Sequence, residues 1–359
     1  MSNTVNYAEV WSNNLRDLYG QELTCDPLYH SNTDIQLNGG KTIKIPTLSV
    51  SGYVDHTRAS LGFTQGNYAN AYETKTLDHD RSIEFVIDPM DFDETDTVVS
   101  LANIQNRFER TQAIPELDCY TYSKLFSEAV RVGSQIKLGA LTVSNILADF
   151  DNNLEYFEDK GVPLDRLILF CTSTYKKLLK NAEGLQRTLD VSKGGGIDRR
   201  VHSLDDITNI VTVPSDRFKT LYDFTSGCIA ASGARQIQYI IIDPECQVSR
   251  VKYSYIHLFA PGSDSRTSDN YLYQNRRYNG TFAIDHKMND GCIISAGTLT
   301  KSFTGDGTTT TFTLTDKPDS VIGITVDGSA VTAYTYAKTT GVITFTTAPA
   351  NGKAIVVTY

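Results

Sequence analysis

The chain has 359 residues, of which 40% are hydrophobic and 21% are charged, and its formal net charge is −9. This length is enough for two or three domains around a sizeable core. Affinity for nucleic acid comes mainly from neutralising phosphates, so an acidic chain without a basic run is not expected to bind DNA sequence-specifically. No stretch has the ~18 consecutive apolar residues that a membrane-spanning helix needs, so no membrane association is predicted.

The N-terminal residues Met1–Tyr7 are polar and do not have the charged and apolar regions of a signal peptide. The six cysteines are scattered and include no Cys-x-x-Cys pair: Cys25, Cys119, Cys171, Cys228, Cys246 and Cys292. This pattern predicts free, buried thiols in a protein that folds inside the cell.

Residues 1–38 predict an N-terminal arm in which short apolar groups alternate with polar ones. The apolar residues Val10, Trp11, Leu15 and Leu18 fit one face of a short helix. Trp11 is the single tryptophan of the chain. Because free N-terminal arms usually carry no such anchor, we expect the arm to dock through Trp11.

Residues 39–87 predict two strands joined by a long excursion. Thr42–Leu48 alternates as a strand does, and Ser82–Asp88 is interpreted as the returning strand. The excursion contains several glycines and the aromatic residues Tyr53, Phe63, Tyr68 and Tyr72. Loops of this length without a core of their own are uncommon and usually functional. We therefore expect a partner to order this loop, in preference to disorder.

The acidic stretch Asp88–Asp96 has two interpretations. A calcium loop would need alternating ligands, a glycine turn and a terminal glutamate, and these are missing. A helix start explains the acidic residues better, because they suit the positive end of the helix dipole. Asp93 or Thr95 is the predicted cap.

Two helical segments are predicted after this start. Apolar residues recur at helical spacing in Glu94–Gln112 and again in Glu116–Val132. Pro115 stands between them, and the pattern predicts an interruption of the helix near this residue.

The pattern between residues 138 and 250 becomes α/β. Thr142–Lys160 predicts a helix, and Leu167–Cys171 and Ile237–Ile242 predict strands that are buried on both faces. Residues 251–296 are interpreted as returning strands, with a final pair over Tyr278–Ser295 that turns at Asn289-Asp290-Gly291.

Residues 297–359 differ in composition from the rest of the chain. They contain four Lys, four Asp, no Arg and no Glu, and threonine is abundant. Short strand patterns alternate with turn signals such as Asp327-Gly328 and Asn351-Gly352. This predicts a separate all-β sandwich module.

The search for chemistry returns no candidate site. Ser192–Gly196 does not have the phosphate-loop spacing, the six histidines form no metal pattern, and no Gly-x-Ser-x-Gly elbow occurs. The glycosylation sequon that begins at Asn279 does not indicate glycosylation, because no secretion signal is predicted. No catalytic, cofactor-binding or metal-ligating residue is predicted, which favours a structural role over an enzyme.

The order of elements resembles the major capsid proteins of tailed bacteriophages, the fold named after phage Hong Kong 97. The stretches Leu141–Leu147, Arg166–Tyr175, Tyr278–Lys287 and Gly291–Ile293 look like sequences of that family. The C-terminal module is similar to immunoglobulin-like modules appended to phage structural proteins.

The resemblance implies an α+β fold of the Hong Kong 97-like class, followed by an all-β immunoglobulin-like sandwich. The implied segments are an N-terminal arm (1–38), an extended β-hairpin loop (39–87), a spine helix of the peripheral domain (88–137), an axial domain (138–250), return strands of the peripheral domain (251–296) and the module (297–359).

The resemblance also implies a function. The chain would form hexamers and pentamers of an icosahedral virion shell, assembled in the bacterial cytoplasm, that encloses double-stranded DNA without reading its sequence. Scaffolding, portal and decoration proteins would be further partners, and the module would lie outside.

The loop is the part that the resemblance places against a neighbouring subunit. Its aromatic residues Tyr53, Phe63, Tyr68 and Tyr72 would be buried there, and Lys41, Lys44 and Arg58 would meet carboxylates. Some relatives cross-link a loop lysine to a neighbour, for which Lys41, Lys44 and Lys75 are candidates.

Two alternatives remain open from the sequence. One is an encapsulin-like protein compartment of the same fold, which a neighbouring cargo gene would favour. The other is an α/β enzyme with a carbohydrate-binding β-module, which predicts a deep pocket with converging polar groups.

Overall fold

The computed structural model describes residues 22–32, 42–55, 65–94, 101–182, 209–263, 268–315, 321–337 and 339–359. The α-helices in these ranges are α1 (Asp26–Tyr29), α2 (Pro89–Glu94), α3 (Leu101–Phe108), α4 (Ile114–Val132), α5 (Ile146–Asp159), α6 (Ser173–Asn181) and α7 (Asp285–Gly291). A π-helical turn covers Glu109–Ala113, and 3-10 turns cover Leu164–Arg166, Ser215–Arg217 and Pro244–Cys246. No helix in the described ranges is both long and apolar enough to cross a membrane.

The strands of the first 296 residues are β1 (Thr42–Val50), β2 (Tyr68–Thr76), β3 (His79–Ile87), β4 (Gln135–Leu138), β5 (Ile168–Thr172), β6 (Asn209–Val213), β7 (Tyr222–Asp223), β8 (Ile229–Ala230), β9 (Ile237–Ile242), β10 (Gln247–Phe259), β11 (Tyr271–Ala283) and β12 (Cys292–Ala296). Those of the C-terminal module are β13 (Thr300–Thr304), β14 (Thr311–Thr313), β15 (Gly323–Val326), β16 (Ser329–Val331), β17 (Tyr334–Ala337), β18 (Val342–Phe345) and β19 (Ala354–Thr358). The chain is thus of mixed α and β structure.

Strands β1 and β2 form a two-stranded antiparallel hairpin, in which Val50 lies opposite Tyr68 and Thr42 lies opposite Thr76. The prediction that Ser82–Asp88 returns to the first strand is wrong, because β3 pairs with β11 instead. The true returning strand is polar and largely exposed. It therefore does not have the β-branched apolar run by which a strand is recognised in a sequence.

A second sheet has the order β10-β11-β3, with all neighbours antiparallel. The π-helical turn and the end of α3 lie against it. The rings of Phe85 and Phe108 are 5.6 Å apart, and the Asn275 amide donates to a Glu109 carboxylate oxygen at 2.6 Å. This sheet continues from the base of the hairpin and carries it on the body of the protein.

The central sheet has the order β4-β12-β9-β5-β6 and contains parallel and antiparallel neighbours. Every residue of β5 is buried. Ile168 and Phe170 face the core under α4, whereas Leu169 and Cys171 face the core under α5 and α6. The two predicted buried strands are confirmed, since successive residues of one strand supply both cores.

The α-helix is interrupted near Pro115, as predicted, but by a π-helical turn and not by a break in the helical run. The π-helical turn lies directly before this proline, and the Ile114 N–H donates to the Glu109 carbonyl. A π-turn shifts the backbone bonds by one residue, so the missing N–H and the bulk of the proline ring are accommodated. Helix α4 ends at Gly133, whose φ of 87° is the left-handed cap that glycine adopts without strain.

A short helix, α2, begins within the acidic stretch. The Met90 N–H donates to Asp88 Oδ1 at 2.9 Å at the start of α2. The side chain of Asp93, and Thr95, lie outside the described parts of the chain. The predicted hairpin turn at Asn289-Asp290-Gly291 is wrong: these residues close helix α7, and the following strand β12 enters the central sheet.

The C-terminal module is an all-β sandwich, as predicted. Its two sheets have the orders β13-β19-β15-β16 and β14-β18-β17, and they enclose their own apolar core. The predicted turn at Asp327-Gly328 connects β15 to β16, with φ of 53° and 79°. Two positive φ angles are typical of the two-residue turn whose twist suits a hairpin.

Candidate subunit-contact surface

The two faces of the β1–β2 hairpin differ in chemistry. Successive strand residues point to opposite sides, and directly opposite residues share a side. The pairs Val50–Tyr68 and Pro46–Tyr72 therefore place their side chains on one face, together with Leu48. We call these five residues the apolar face.

The apolar face has no cover within the described chain. The side chains of Leu48, Val50, Tyr68 and Tyr72 are 70%, 73%, 82% and 61% exposed. A two-stranded hairpin is at best marginally stable in water by itself, and a contiguous exposed apolar patch marks an interaction surface. This hairpin therefore has the properties of an element that a partner covers.

The hairpin is fixed to the body at one end. Ile45 lies on the face opposite the apolar face and is buried with Leu77. Both belong to a small core with Val248, Phe282 and Ile284, which lie on or next to β10 and β11. The base is thus held by the body, while the far end projects from it.

A cluster of charges surrounds the base of the hairpin. Lys75 of β2 forms an ion pair with Asp285 and lies 3.5 Å from Glu73. Arg131 at the end of α4 donates to Asp285 Oδ2 at 3.0 Å and lies 2.7 Å from Glu128. The hydrogen bond from Arg131, with that from Lys75, lowers the pKa of Asp285 to about 2. The cluster fixes the hairpin to α4.

A buried carboxylate holds the segment that contains Thr24 and Cys25. Asp118 of α4 is fully buried and accepts from the backbone N–H groups of Thr24 at 3.1 Å and Cys25 at 3.0 Å. The Arg217 guanidinium lies 2.6 Å from it, with a side chain only 6% exposed, and also donates to the Glu22 carbonyl at 3.0 Å. One ion pair thus connects residues 22–25, helix α4 and the chain after β6.

A second charged junction connects β3 with α4. The His79 ring stacks on Tyr120 with 4.0 Å between centroids, and its Nε2 lies 3.5 Å from Glu116. Arg81 donates to the same carboxylate at 2.6 Å. Burial opposes the ionisation of Glu116, but the bonds from His79 and Arg81 outweigh it and lower its pKa. This carboxylate is neutralised within its own subunit, as in a structural ion pair.

Beside this junction lies a cavity of about 320 Å³ whose lining is mainly apolar and includes Phe85 and Phe108. In the part of the chain that the structure describes, no three His, Cys, Asp or Glu side chains group closely enough to hold a metal ion. The paired side chains His79, Arg81 and Glu116 of that junction also line the cavity, which lies between α4 and the sheet.

The structure places the predicted contact residues in two groups. Tyr53, Tyr68, Tyr72 and Lys44 are all exposed on the hairpin or just beyond β1. Four others lie outside the described residues: Trp11, Lys41, Arg58 and Phe63. Lys75, a candidate for cross-linking, is 8% exposed and paired within its own subunit, which makes it unsuited to reach a neighbour.

Sequence reasoning missed three members of the apolar face, Pro46, Leu48 and Val50. The predicted alternation of Thr42–Leu48 rests on Ile43 and Ile45, and Ile45 is buried against the body. The even-numbered residues carry a second apolar stripe from Pro46 onward. A strand that is apolar on both sides indicates two covered faces. That signal was available in the sequence.

Comparison with known proteins gives a consistent picture. No family model matches the chain, and no curated protein does. Solved structures match along most of it. One from Mycobacterium phage Che8 is 12% identical with a TM-score of 0.57, and covers 80% of this chain and 96% of its own. The mature capsid of bacteriophage PhiM1 is 12% identical, with a TM-score of 0.57, and the match covers 81% of this chain and 92% of the capsid chain. The capsid of the Cyanophage P-SCSP1u is 10% identical, with a TM-score of 0.55, and the match covers 81% of this chain and 92% of the capsid chain.

The α+β architecture described above is therefore the fold of phage capsid proteins. The similarity extends over four-fifths of the chain and nearly the whole of each matched chain. At this level of identity the shared property is the fold, and the function is argued from the hairpin and its surroundings.

Proposed function

We propose that this protein is the major capsid protein of a tailed, double-stranded DNA bacteriophage. Its copies assemble as hexamers and pentamers of an icosahedral shell, and its place is the virion after assembly in the host cytoplasm. The observation that carries the proposal is the apolar face: a projecting hairpin with exposed Leu48, Val50, Tyr68 and Tyr72, on a chain with the fold of phage capsids.

The physical role of the hairpin is to lie on a neighbouring copy. Burying an aliphatic or aromatic side chain stabilises a contact by roughly 1.5–3 kcal/mol. Each contact is small, but it repeats at every subunit, and a closed shell satisfies all hairpins at once. Lys44, exposed on the same face, is suited to meet a carboxylate of the neighbour.

The segment assignments follow from the Hong Kong 97-like scheme. The arm, spine helix, axial domain and return strands are those implied by the resemblance, the extended loop is limited to the β1–β2 hairpin because β3 pairs with β11, and the C-terminal sandwich is an immunoglobulin-like module on the outside. Two observations support this scheme: the module has its own core, and the matched capsids leave about a fifth of the chain uncovered, close to the share of residues 297–359. Scaffold, portal and decoration proteins are the expected partners.

The test uses charge substitutions on the two faces of the hairpin. Leu48→Asp and Tyr68→Asp place a charge on the apolar face, whereas Ser49→Asp and Ala69→Asp place the same charge on the opposite face of the same strands. All four positions are exposed, so the subunit should fold in each case. Electron microscopy and sedimentation should show shells for the unsubstituted protein and the two controls, and none for the apolar-face variants.

Two results contradict the proposal. The unsubstituted protein could stay monomeric under every assembly condition, which would remove the shell function itself. Alternatively, the apolar-face variants could form shells as readily as the controls, which would show that the hairpin does not make the subunit contact.

A further inference from the structure

Two of the six cysteines lie side by side in the folded chain. Cys119 is on helix α4, and Cys228 precedes strand β8, about 110 residues further along the chain. The side chains of these two residues are within hydrogen-bonding range of each other. Because they are far apart in sequence, the contact is produced by the tertiary fold and not by local structure.

The packing of the β7–β8 hairpin on α4 brings the two cysteines together. The ring of Phe224, which directly follows β7, lies 6.1 Å from the ring of Tyr120 on α4. Gly227 lines the cavity described above, next to residues at the start of α4. The sequence neighbours of Cys228 thus lie against α4 where Cys119 stands, which places the two thiols between helix and hairpin.

Hydrogen bonds at its base hold the β7–β8 hairpin in this position. The Tyr222 hydroxyl donates to the Asp216 carbonyl at 2.6 Å and accepts from the Lys219 N–H at 3.1 Å. Tyr222 itself pairs with Ala230 in the short ladder between the two strands. A thiol that the fold holds next to a second thiol reacts with it far more readily than with a thiol free in solution.

The two thiols differ in their access to solvent. Cys228 is half-buried, whereas Cys119 and the other four cysteines are buried. A dissolved oxidant therefore reaches Cys228 first, and Cys119 is the neighbour that completes the reaction. Cys246 and Cys292 provide a contrast: the Cys246 thiol donates to the Gly291 carbonyl at 3.8 Å, and both cysteines are out of reach of solvent.

We propose that Cys119 and Cys228 form a disulfide bond when the protein meets a solution that contains an oxidising low-molecular-weight disulfide. The Cys228 thiolate attacks one sulfur of that disulfide and releases one small thiol, which leaves a mixed disulfide on Cys228. Cys119 then loses its proton and attacks the Cys228 sulfur, and the second small thiol leaves. Two cysteine thiols are oxidised, one small disulfide is reduced to two thiols, and the two cysteine protons pass to those thiols.

The proposed bond suits a protein that leaves the cell, which is the part of the inference that rests on the proposed function. Glutathione keeps thiols reduced in the cytosol, whereas disulfides persist on virion surfaces and in other extracellular proteins. The hydrogen bond with Cys119, followed by burial, raises the pKa of Cys228, so little thiolate is present at neutral pH. The bond should therefore form slowly after release. It closes a loop of about 110 residues, and disulfides that close long loops are expected to stabilise most.

The test incubates the folded, unassembled full chain with oxidised glutathione at about pH 8, where more thiolate is present. The reaction is stopped with acid, and the intact mass and a non-reduced digest are measured. We expect a mass lower by two hydrogens and one cross-linked peptide pair, which contains Cys119 and Cys228. The rate should rise about tenfold between pH 7 and pH 8, because the thiolate fraction rises tenfold per pH unit below the pKa of Cys228.

Two variants and one control separate the roles of the thiols. Cys119→Ser should stop the reaction at the mixed disulfide, with one glutathione attached to Cys228. Cys228→Ser, at a half-buried position, should leave the folded protein unreacted over the same time. The matched control is Cys171→Ser, which removes a buried cysteine outside the pair and should keep the internal bond. Far-ultraviolet circular dichroism checks that each variant is folded, and Cys119→Ala replaces Cys119→Ser if the serine variant is not.

Three results overturn the inference. The unsubstituted folded protein stays reduced at about pH 8, or it ends with glutathione on Cys228 and no internal bond, or the digest joins a different pair of cysteines. Shell formation is measured separately. Shells whose subunits never form the bond contradict only this inference, and a subunit that forms the bond but never assembles contradicts only the proposed function.

Discussion

Replacing Asp118 with alanine should be one of the most damaging single changes in this protein. The substitution leaves the Arg217 charge buried with a side chain only 6% exposed, and its one remaining hydrogen bond in the described structure is to the Glu22 carbonyl. Removing one partner of a buried ion pair costs about 3–5 kcal/mol, because the other charge is left uncompensated. The N–H groups of Thr24 and Cys25 lose their hydrogen-bond acceptor as well. Each of these groups that water does not reach lowers the free energy of unfolding by about 1–3 kcal/mol.

The free energy of unfolding is measured by urea denaturation of the unassembled subunit, followed by far-ultraviolet circular dichroism. We expect a loss of about 3–5 kcal/mol for Asp118→Ala. Hydrogen exchange read by mass spectrometry over residues 22–32 adds a local probe, and protection of this segment should fall first. The control is Lys160→Met, which removes a pair between exposed side chains of Lys160 and Asp290 and should leave the midpoint near that of the unsubstituted protein.

A double variant separates the charge effect from the lost volume. Asp118→Leu with Arg217→Met replaces both charges by apolar side chains, and such replacements are often neutral or stabilising. It should recover most of the loss, except for the share that belongs to the two backbone N–H groups. If Asp118→Ala costs less than about 1 kcal/mol, or if the double variant is no more stable than the single one, the buried pair does not hold the arm as described.

Two further perturbations test other parts of the structure. The hydrogen bond from Arg131 is the largest cause that lowers the pKa of Asp285 to about 2 in the folded protein. In the unfolded chain the pKa of an aspartate is near 4. The ionised Asp285 therefore stabilises the fold fully above about pH 4, and this stabilisation is lost as the pH falls from about 4 to about 2. Arg131→Met should therefore lower the urea midpoint at neutral pH, and the difference should narrow across that window; a difference that persists at pH 2 would contradict it. The Tyr175 hydroxyl is buried without a hydrogen-bond partner in the described structure, so Tyr175→Phe should leave stability equal or raise it by roughly 1 kcal/mol. Tyr239→Phe removes hydrogen bonds to Asn153 and Asp149 and should lower the free energy of unfolding in the same urea assay. If Tyr175→Phe lowers the free energy of unfolding by a similar amount, the reasoning is refuted.

The elements that the sequence predicted best are those whose pattern of apolar residues reflects the burial of the same segment. Ile237–Ile242 and the β5 strand are mostly apolar because both of their faces supply cores, so composition alone identifies them. The change of composition near Gly297 marked the sandwich module for the same reason, since the module has a core of its own. In these cases the local pattern and the tertiary environment agree.

The errors have a different origin. Strand β2 pairs with β1 but is largely exposed to solvent in the subunit. Its sequence therefore does not show the apolar pattern by which a buried strand is recognised. The turn chemistry of Asn289-Asp290-Gly291 is equally compatible with a helix end, and the pairing of β12 with β9 and β4 decided between them. Long-range pairing is information that local patterns do not contain.

The hairpin itself shows why a locally unfavourable element points to function. Its apolar face costs free energy in water, and a two-stranded sheet gains too little to offset this cost. Yet the chain anchors the base of the hairpin with Ile45 and with the pair between Lys75 and Asp285, so its position is specified. An apolar surface whose position is already fixed binds a partner at a lower cost in conformational entropy. When the partner is another copy, each subunit both presents a hairpin and receives one, and a closed shell is the assembly that leaves none exposed.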